Sequence, residues 1–148
     1  MQLSPHFTLA EFTASDTARR IGNDNRPTAS HLENLRHTAA QLERIRAIVG
    51  GPIVLTSGYR NPVVNRAVGG TPTSAHPMGF AADIRRPGLT PAELARRIRD
   101  SVVRFDQLIL ETGRKVVHVS FDPRCRMMAG EQRGGPGSRI VWRLPAAG

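Results

Sequence analysis

The sequence predicts an α+β fold with a small, mainly antiparallel sheet and helices packed on it. Three observations predict it. An early segment repeats apolar residues at spacings of three and four. The later half is broken into short β-rich runs, two of them joined by a hairpin signal. Helical patterns come first and strand patterns last, without the regular alternation of a parallel α/β sheet. The 148 residues suit one domain, 1–148, and the 39% hydrophobic content is that of a globular chain.

Thr8 precedes Leu9-Ala10-Glu11-Phe12, a short capped helical turn. His6 sits near a terminus expected to be floppy. Thr13 to Pro27 is polar and reads as loop. Asn25-Arg26-Pro27-Thr28 opens a long helix carrying Leu32, Leu35, Ala39, Leu42, Ile45 and Val49 on its apolar side. Gly50-Gly51-Pro52 stops it. Ile53-Val54-Leu55-Thr56 reads as a short buried strand. Residues 57–80 hold seven Gly or Pro, so irregular backbone is expected there, with a short helix near Pro62–Val68. Ala81-Ala82-Asp83-Ile84 is a further strand. Thr90-Pro91-Ala92-Glu93 is a capping box with proline at the first helical position, and the helix behind it buries Leu94, Ile98 and Val102. Phe105 to Glu111 and Val116 to Phe121 are strands joined by Thr112-Gly113-Arg114-Lys115. Residues 126–148 form a C-terminal extension with one further strand, Arg139 to Arg143, and a flexible tail.

Composition excludes several functions. No apolar stretch reaches the ~18 residues of a transmembrane helix. The N-terminus shows no secretory signal. The lone Cys125 excludes an internal disulfide framework and a cysteine-rich zinc knuckle, so a metal must rely on His, Asp or Glu. The net charge is +9, carried by twenty arginines and the single Lys115. Such a surface suits an anionic partner: nucleic acid, anionic lipid or an anionic cell wall. One Trp and one Tyr give no stacking platform for single strands, so nucleic acid is not the expected partner.

The chemistry concentrates in Ser74-Ala75-His76-Pro77-Met78-Gly79-Phe80-Ala81-Ala82-Asp83. His76 and Asp83 lie seven apart across a glycine, and imidazole and carboxylate are both zinc donors. On the later strand, alternation places Val116, His118 and Ser120 on one face and Val117, Val119 and Phe121 on the other. A half-buried strand histidine needs a partner. Two readings follow from the residues alone: a hydrogen bond from His118 to a neighbouring carboxylate, or a metal triad of His76, Asp83 and His118 with a fourth position open. Two histidines and a carboxylate also suit iron.

Ser57-Gly58-Tyr59-Arg60-Asn61-Pro62, then Asn65, then Ala67-Val68-Gly69-Gly70, then Ser74-x-His76-x-x-Gly79-x-Ala81-x-Asp83, then the strand with His118, together resemble the zinc D-Ala-D-Ala carboxypeptidase family. The wider group includes D-Ala-D-Ala dipeptidases, phage endolysins and the hedgehog signalling domain. The likeness runs in order over about residues 4–125. It implies a hedgehog/DD-peptidase-like fold and a zinc peptidase acting on bacterial peptidoglycan peptides, with Zn2+ held by His76, Asp83 and His118. It also implies that Arg60 clamps a substrate carboxylate, which its two parallel donors suit. Ser74 donates to substrate or braces His76. Asn65 pins its loop, and Tyr59 packs.

The general base departs from the pattern of many relatives, which carry a carboxylate or histidine two to four positions before the last ligand. Those slots hold Arg114, Lys115 and Val116. Glu111 resembles the glutamate of a phage-type subset. If the turn is 112–115, Glu111 pairs with Val116 and Ile109 with His118, which puts Glu111 on the face of His118, one diagonal or ~7 Å away. The competing reading is a strand-end glutamate neutralised by Arg114. His31 and His37 are six apart and off a shared helical face, so they are not expected to share a metal. Cys125 reads as packing, and Asp122 as a turn residue before Pro123.

The resemblance implies a D,D-carboxypeptidase or cross-link endopeptidase, and a monomer is expected. It would be made without a signal and reach the wall after phage-type release or from a virion. A non-catalytic zinc-binding or virion structural module of the same fold is the alternative.

Overall fold

The computed structural model describes residues 1–144. A two-stranded hairpin, β1 (Gln2–Ser4) and β2 (Phe7–Thr8), leads into α1 (Leu9–Thr13) and α2 (Asp16–Arg20). The long α3 (Ala29–Val49) follows, then β3 (Val54–Ser57) and α4 (Pro62–Ala67). A single 3-10 turn, His76–Met78, precedes β4 (Ala81–Arg85) and α5 (Pro91–Arg99). Four strands complete the chain: β5 (Gln107–Glu111), β6 (Val116–Ser120), β7 (Met128–Gln132) and β8 (Ile140–Val141).

The main sheet has the order β3-β4-β6-β5-β7-β8. Every pairing is antiparallel except β5 with β7. The sheet is therefore mainly antiparallel, as expected, but mixed. The period of two then divides its side chains. Ala82, Ile84, Leu108, Leu110, Val117 and Val119 point to one face and are buried under α3 and α5. Asp83, Ile109, Glu111 and His118 alternate with them and share the opposite face, where the cleft lies.

The long helix starts where expected because the Thr28 side chain accepts from the His31 backbone N–H, and it ends at Gly50 in the left-handed region (φ 69°). Its Leu35, Leu42 and Ile45 are fully buried. Each such side chain contributes roughly 1.5–3 kcal/mol by leaving water, the main force holding the helix on the sheet. The Thr90 cap also forms, its hydroxyl accepting from Glu93 N at 3.1 Å.

Several expectations change. The strand after Gly51 is not buried: β3 lies at the sheet edge, so its outer side meets solvent and Val54 is 46% exposed. Val102 is exposed because α5 ends at Arg99, and Val103 enters the core in its place. Within the stretch expected as loop, α2 forms, capped by the Ser15 hydroxyl accepting from Ala18 N. His6 is not loose: its backbone N–H donates to Glu43 at 2.7 Å and its ring Nδ1 lies 2.7 Å from the same carboxylate. The extension holds two strands rather than one, since β7 joins the sheet beside β5. The last part of the expected tail, residues 145–148, lies outside the described residues.

Candidate functional site

The hairpin register sets the site. Turn residues 112–115 pair Glu111 with Val116 and Ile109 with His118, the register expected from the sequence. On the other side of β6, Asp83 pairs with His118. Strand pairing alone thus puts a carboxylate beside an imidazole on the open face of the sheet. His118 Nδ1 lies 3.0 Å from Asp83 Oδ1.

His76 reaches the same point from the 3-10 turn. Gly79 ends that turn with φ +83°, and a Cβ there would lie 2.8 Å from the His31 carbonyl oxygen on α3. Only glycine lets the turn dock so closely. Thr38 donates to the Gly79 carbonyl at 2.7 Å and Asn34 to the Met78 carbonyl at 2.8 Å, fastening the turn to the long helix. The backbone N–H of His76 donates to Ser74 Oγ at 3.2 Å, so Ser74 braces the turn. The ring Nδ1 of His76 lies 2.5 Å from the Gly58 carbonyl oxygen, an acceptor that fixes the proton on Nδ1. Nε2 is then a bare lone pair, 3.3 Å from Asp83 Oδ1.

His76, Asp83 and His118 each offer one ligand atom, and the three lie within 4.8 Å of one another. His76 and Asp83 are both 1% exposed. Asp83 Oδ2 is buried without a hydrogen-bond partner, although a buried carboxylate oxygen ordinarily has one. Burial opposes the charge on Asp83, but the imidazoles of His76 and His118 outweigh it and hold the carboxyl well below the usual carboxylate range. Burial likewise draws His76 below the ordinary histidine value, against the pull of Asp83. An ionised carboxylate and a neutral imidazole are the forms that bind metal. The donor set, an Oδ2 that lies 3.5 Å from Arg114 but accepts no hydrogen bond, and the oriented Nε2 all fit a divalent ion such as zinc.

A cleft of about 480 Å³ opens over this point, lined by Arg60, Ser74, Glu111 and Arg114 as well as the three ligand candidates. Burial, then the nearby Asp83 charge, pushes the Glu111 carboxyl above its ordinary value, with His118, Arg114 and Arg60 opposing. Its Oε2 has no partner, while Oε1 lies 3.4 Å from Arg114. Arg60 is 8% exposed, and its Nε is unpartnered. No carboxylate stands within ion-pair distance of Arg60 among the described residues. Burial draws its guanidinium below the ordinary arginine value, opposed by Asp83.

All six residues singled out from the sequence, Arg60, Ser74, His76, Asp83, Glu111 and His118, line this one cleft. The other histidines do not join them. His31 packs on Tyr59 and His37 on Phe121. Asn65 donates to the Thr71 carbonyl at 2.9 Å and pins its loop. Asp122 accepts from Arg124 N at 2.9 Å, a turn contact.

Three contacts escaped the sequence reading. The Gly58 carbonyl orients His76, and a main-chain atom carries no sequence signal. Arg114 reaches past Glu111 to within 3.5 Å of Asp83 Oδ2, a contact set by hairpin register. Asn25 donates to the Thr13 and Tyr59 carbonyls and accepts from Asn61 N, fixing the segment that carries Arg60. Its backbone is left-handed (φ 51°), a conformation asparagine tolerates.

A family model described as Peptidase M15 matches residues 5–120. No curated protein matches the chain.

Proposed function

The chain belongs to the peptidase M15 family, and from that premise we propose that it is a zinc peptidase of bacterial peptidoglycan stem peptides, cutting as a D,D-carboxypeptidase or cross-link endopeptidase. The observation that carries the reading is the convergence of His76, Asp83 and His118 at the floor of a cleft that also holds Glu111, whose Oε2 is buried without a hydrogen-bond partner.

His76 Nε2, one Asp83 oxygen and a ring nitrogen of His118 would hold the ion. Bound there, zinc would supply Lewis acidity, the chemistry that activates water near neutral pH and polarises a carbonyl. Glu111 is the general base. Its free Oε2 takes the proton of the attacking water and returns it to the leaving amine. The raised pKa suits this role, since a carboxyl nearer neutrality both accepts and gives back a proton. Arg114 steadies Oε1 and leaves Oε2 free. Arg60, buried and without a carboxylate partner, binds the peptide's carboxylate through paired donors. The Ser74 hydroxyl accepts from His76 N and keeps its own proton to donate to substrate.

The net charge of +9 favours an anionic wall. A phage or prophage lysis enzyme is the setting we favour for it. The test is digestion of purified cell wall, with mass analysis of the released peptides, with and without chelator. Chelator-sensitive release of D-alanine or of uncrosslinked stem peptides, restored by zinc, supports the reading. Wall left intact by zinc-loaded protein contradicts it and favours a non-catalytic module.

A further inference from the structure

The family match ends at residue 120, yet the cleft does not. Gln132, Pro136, Gly137 and Ile140 also line it, and all four come from β7, β8 and the connection between them. That connection, residues 133–139, can be traced across the mouth of the site from one contact to the next.

It begins beside the catalytic candidate. The parallel β5–β7 register sets Gln132 next to Glu111. Thr112 N donates to the Gln132 carbonyl at 3.0 Å, tying the end of β7 to the hairpin turn. A Cβ on Gly113 would lie 3.3 Å from the Gly134 carbonyl oxygen, so the connection passes directly over that turn. Its far point meets the loop after α4, whose later residues Thr71 and Thr73 line the cleft: a Cβ on Gly69 would lie 3.3 Å from Pro136 Cβ. The connection then returns to β8. Its shape is held internally by Ser138 N donating to the Gly135 carbonyl at 3.1 Å and by the Gln132 side-chain amide donating to the Ser138 carbonyl at 2.7 Å. Gly130, two pairs along β7 from Gln132, has room for no side chain, because a Cβ would lie 2.7 Å from the Val141 carbonyl oxygen. So β8 leans onto the cleft side of the sheet.

We infer that residues 133–139 are a strap that closes the Glu111 end of the cleft and thereby limits how far a peptide substrate can extend in that direction. This rests on the peptidase reading above. An open sheet edge would let a chain run on past β5. Here the strap spans from the hairpin turn to the Gly69 loop, and the half-open cleft beside it, about 480 Å³, is on the scale of a ligand a few residues long. A wall of this kind selects by clash rather than by attraction.

The experiment uses diacetyl-Lys-D-Ala-D-Ala and two longer forms, one extended by three glycines at the amino end and one at the carboxyl end. Cleavage is followed with zinc-loaded protein, and binding with the zinc-loaded Glu111→Gln variant. Two further variants probe the strap. In one, an Asn-Gly turn replaces residues 133–139 and connects Gln132 to its partner Ile140. In the other, Gln132→Ala removes only the bond to Ser138. The parent should disfavour extension at one end by about tenfold or more, the scale on which a pocket rejects an ill-fitting group. The Asn-Gly variant should erase that preference, and Gln132→Ala should weaken it. If the parent takes all three peptides alike, or if the preference survives in both strap variants, the strap idea is wrong and the peptidase reading stands. Binding without cleavage would instead overturn the peptidase reading and leave the binding ratios to judge the strap. If no peptide binds or is cut, both fall.

Discussion

Glu111→Gln replaces one carboxylate oxygen by an amide nitrogen and changes little else. Glutamine matches the shape of glutamate, so its oxygen can still face Arg114 at the 3.4 Å position now held by Oε1. The three ligand candidates are untouched, and Asp83 loses a repulsive neighbour rather than a support. What disappears is the basic Oε2, the unpartnered atom assigned to move the proton. Positioned acid–base groups contribute about 10²–10⁴ in rate. At about 1.36 kcal/mol per decade that is roughly 3–5 kcal/mol of barrier. The expected result is therefore a fall in kcat of that size, with KM and zinc affinity changed by no more than a few-fold. Steady-state hydrolysis of a D-Ala-D-Ala peptide gives the first two, and competition with a fluorescent chelator gives the third. A kcat within threefold of the parent would refute Glu111 as the base. Loss of zinc together with activity would mean that Glu111 belongs to the metal site and that its role was misread.

Other outcomes follow from the same geometry. Arg60→Met removes a buried cation that has no anionic partner, so the fold should be as stable as the parent or more so, while KM for a carboxylate-ended peptide rises at least about tenfold; an unchanged KM would leave Arg60 without its assigned role. Gly58→Ala would place a Cβ 2.6 Å from the Phe12 carbonyl oxygen and 2.9 Å from Phe12 Cα. Backbone cannot swing aside as a side chain can, so destabilisation of about 1–3 kcal/mol is expected by urea titration, with weaker zinc binding as His76 loses its orienting carbonyl. Asp106 is held below the usual carboxylate range by hydrogen bonds from Arg126. A lowered pKa stabilises the fold above the unfolded aspartate value of about 3.9, and that contribution fades as pH falls through the folded value. The urea midpoint should therefore drop on acidification below about pH 4, and less so in Asp106→Asn; equal pH slopes would contradict the pairing.

What could be read beforehand was local. The Thr112–Lys115 turn fixes the hairpin register by chain geometry, and register in turn sets Glu111, Ile109 and His118 on one face. The caps at Thr28 and Thr90 are likewise written in adjacent residues. Two of the expectations that failed depend on distant partners. Met128-Ala129-Gly130-Glu131-Gln132 has neither alternation nor β-branched residues, and it becomes a strand only because β5 offers an unpaired edge in parallel. Whether β3 is buried depends on its place at the end of the sheet, which no local pattern states. The same holds at the site. His76, Asp83 and His118 were visible as residue types at suggestive spacing, whereas the Gly58 carbonyl, the reach of Arg114 to Asp83 and the anchoring of Asn25 are products of assembly.

The central claim is that one zinc ion sits among His76, Asp83 and His118. X-ray absorption at the zinc edge of protein loaded with one equivalent tests it most directly, compared with His118→Ala loaded in the same way. The account predicts a shell of N and O atoms at about 2.0–2.2 Å, with the scattering signature of two imidazoles in the parent and one in the variant. A parent shell lacking imidazole, or one unchanged when His118 is removed, would contradict it.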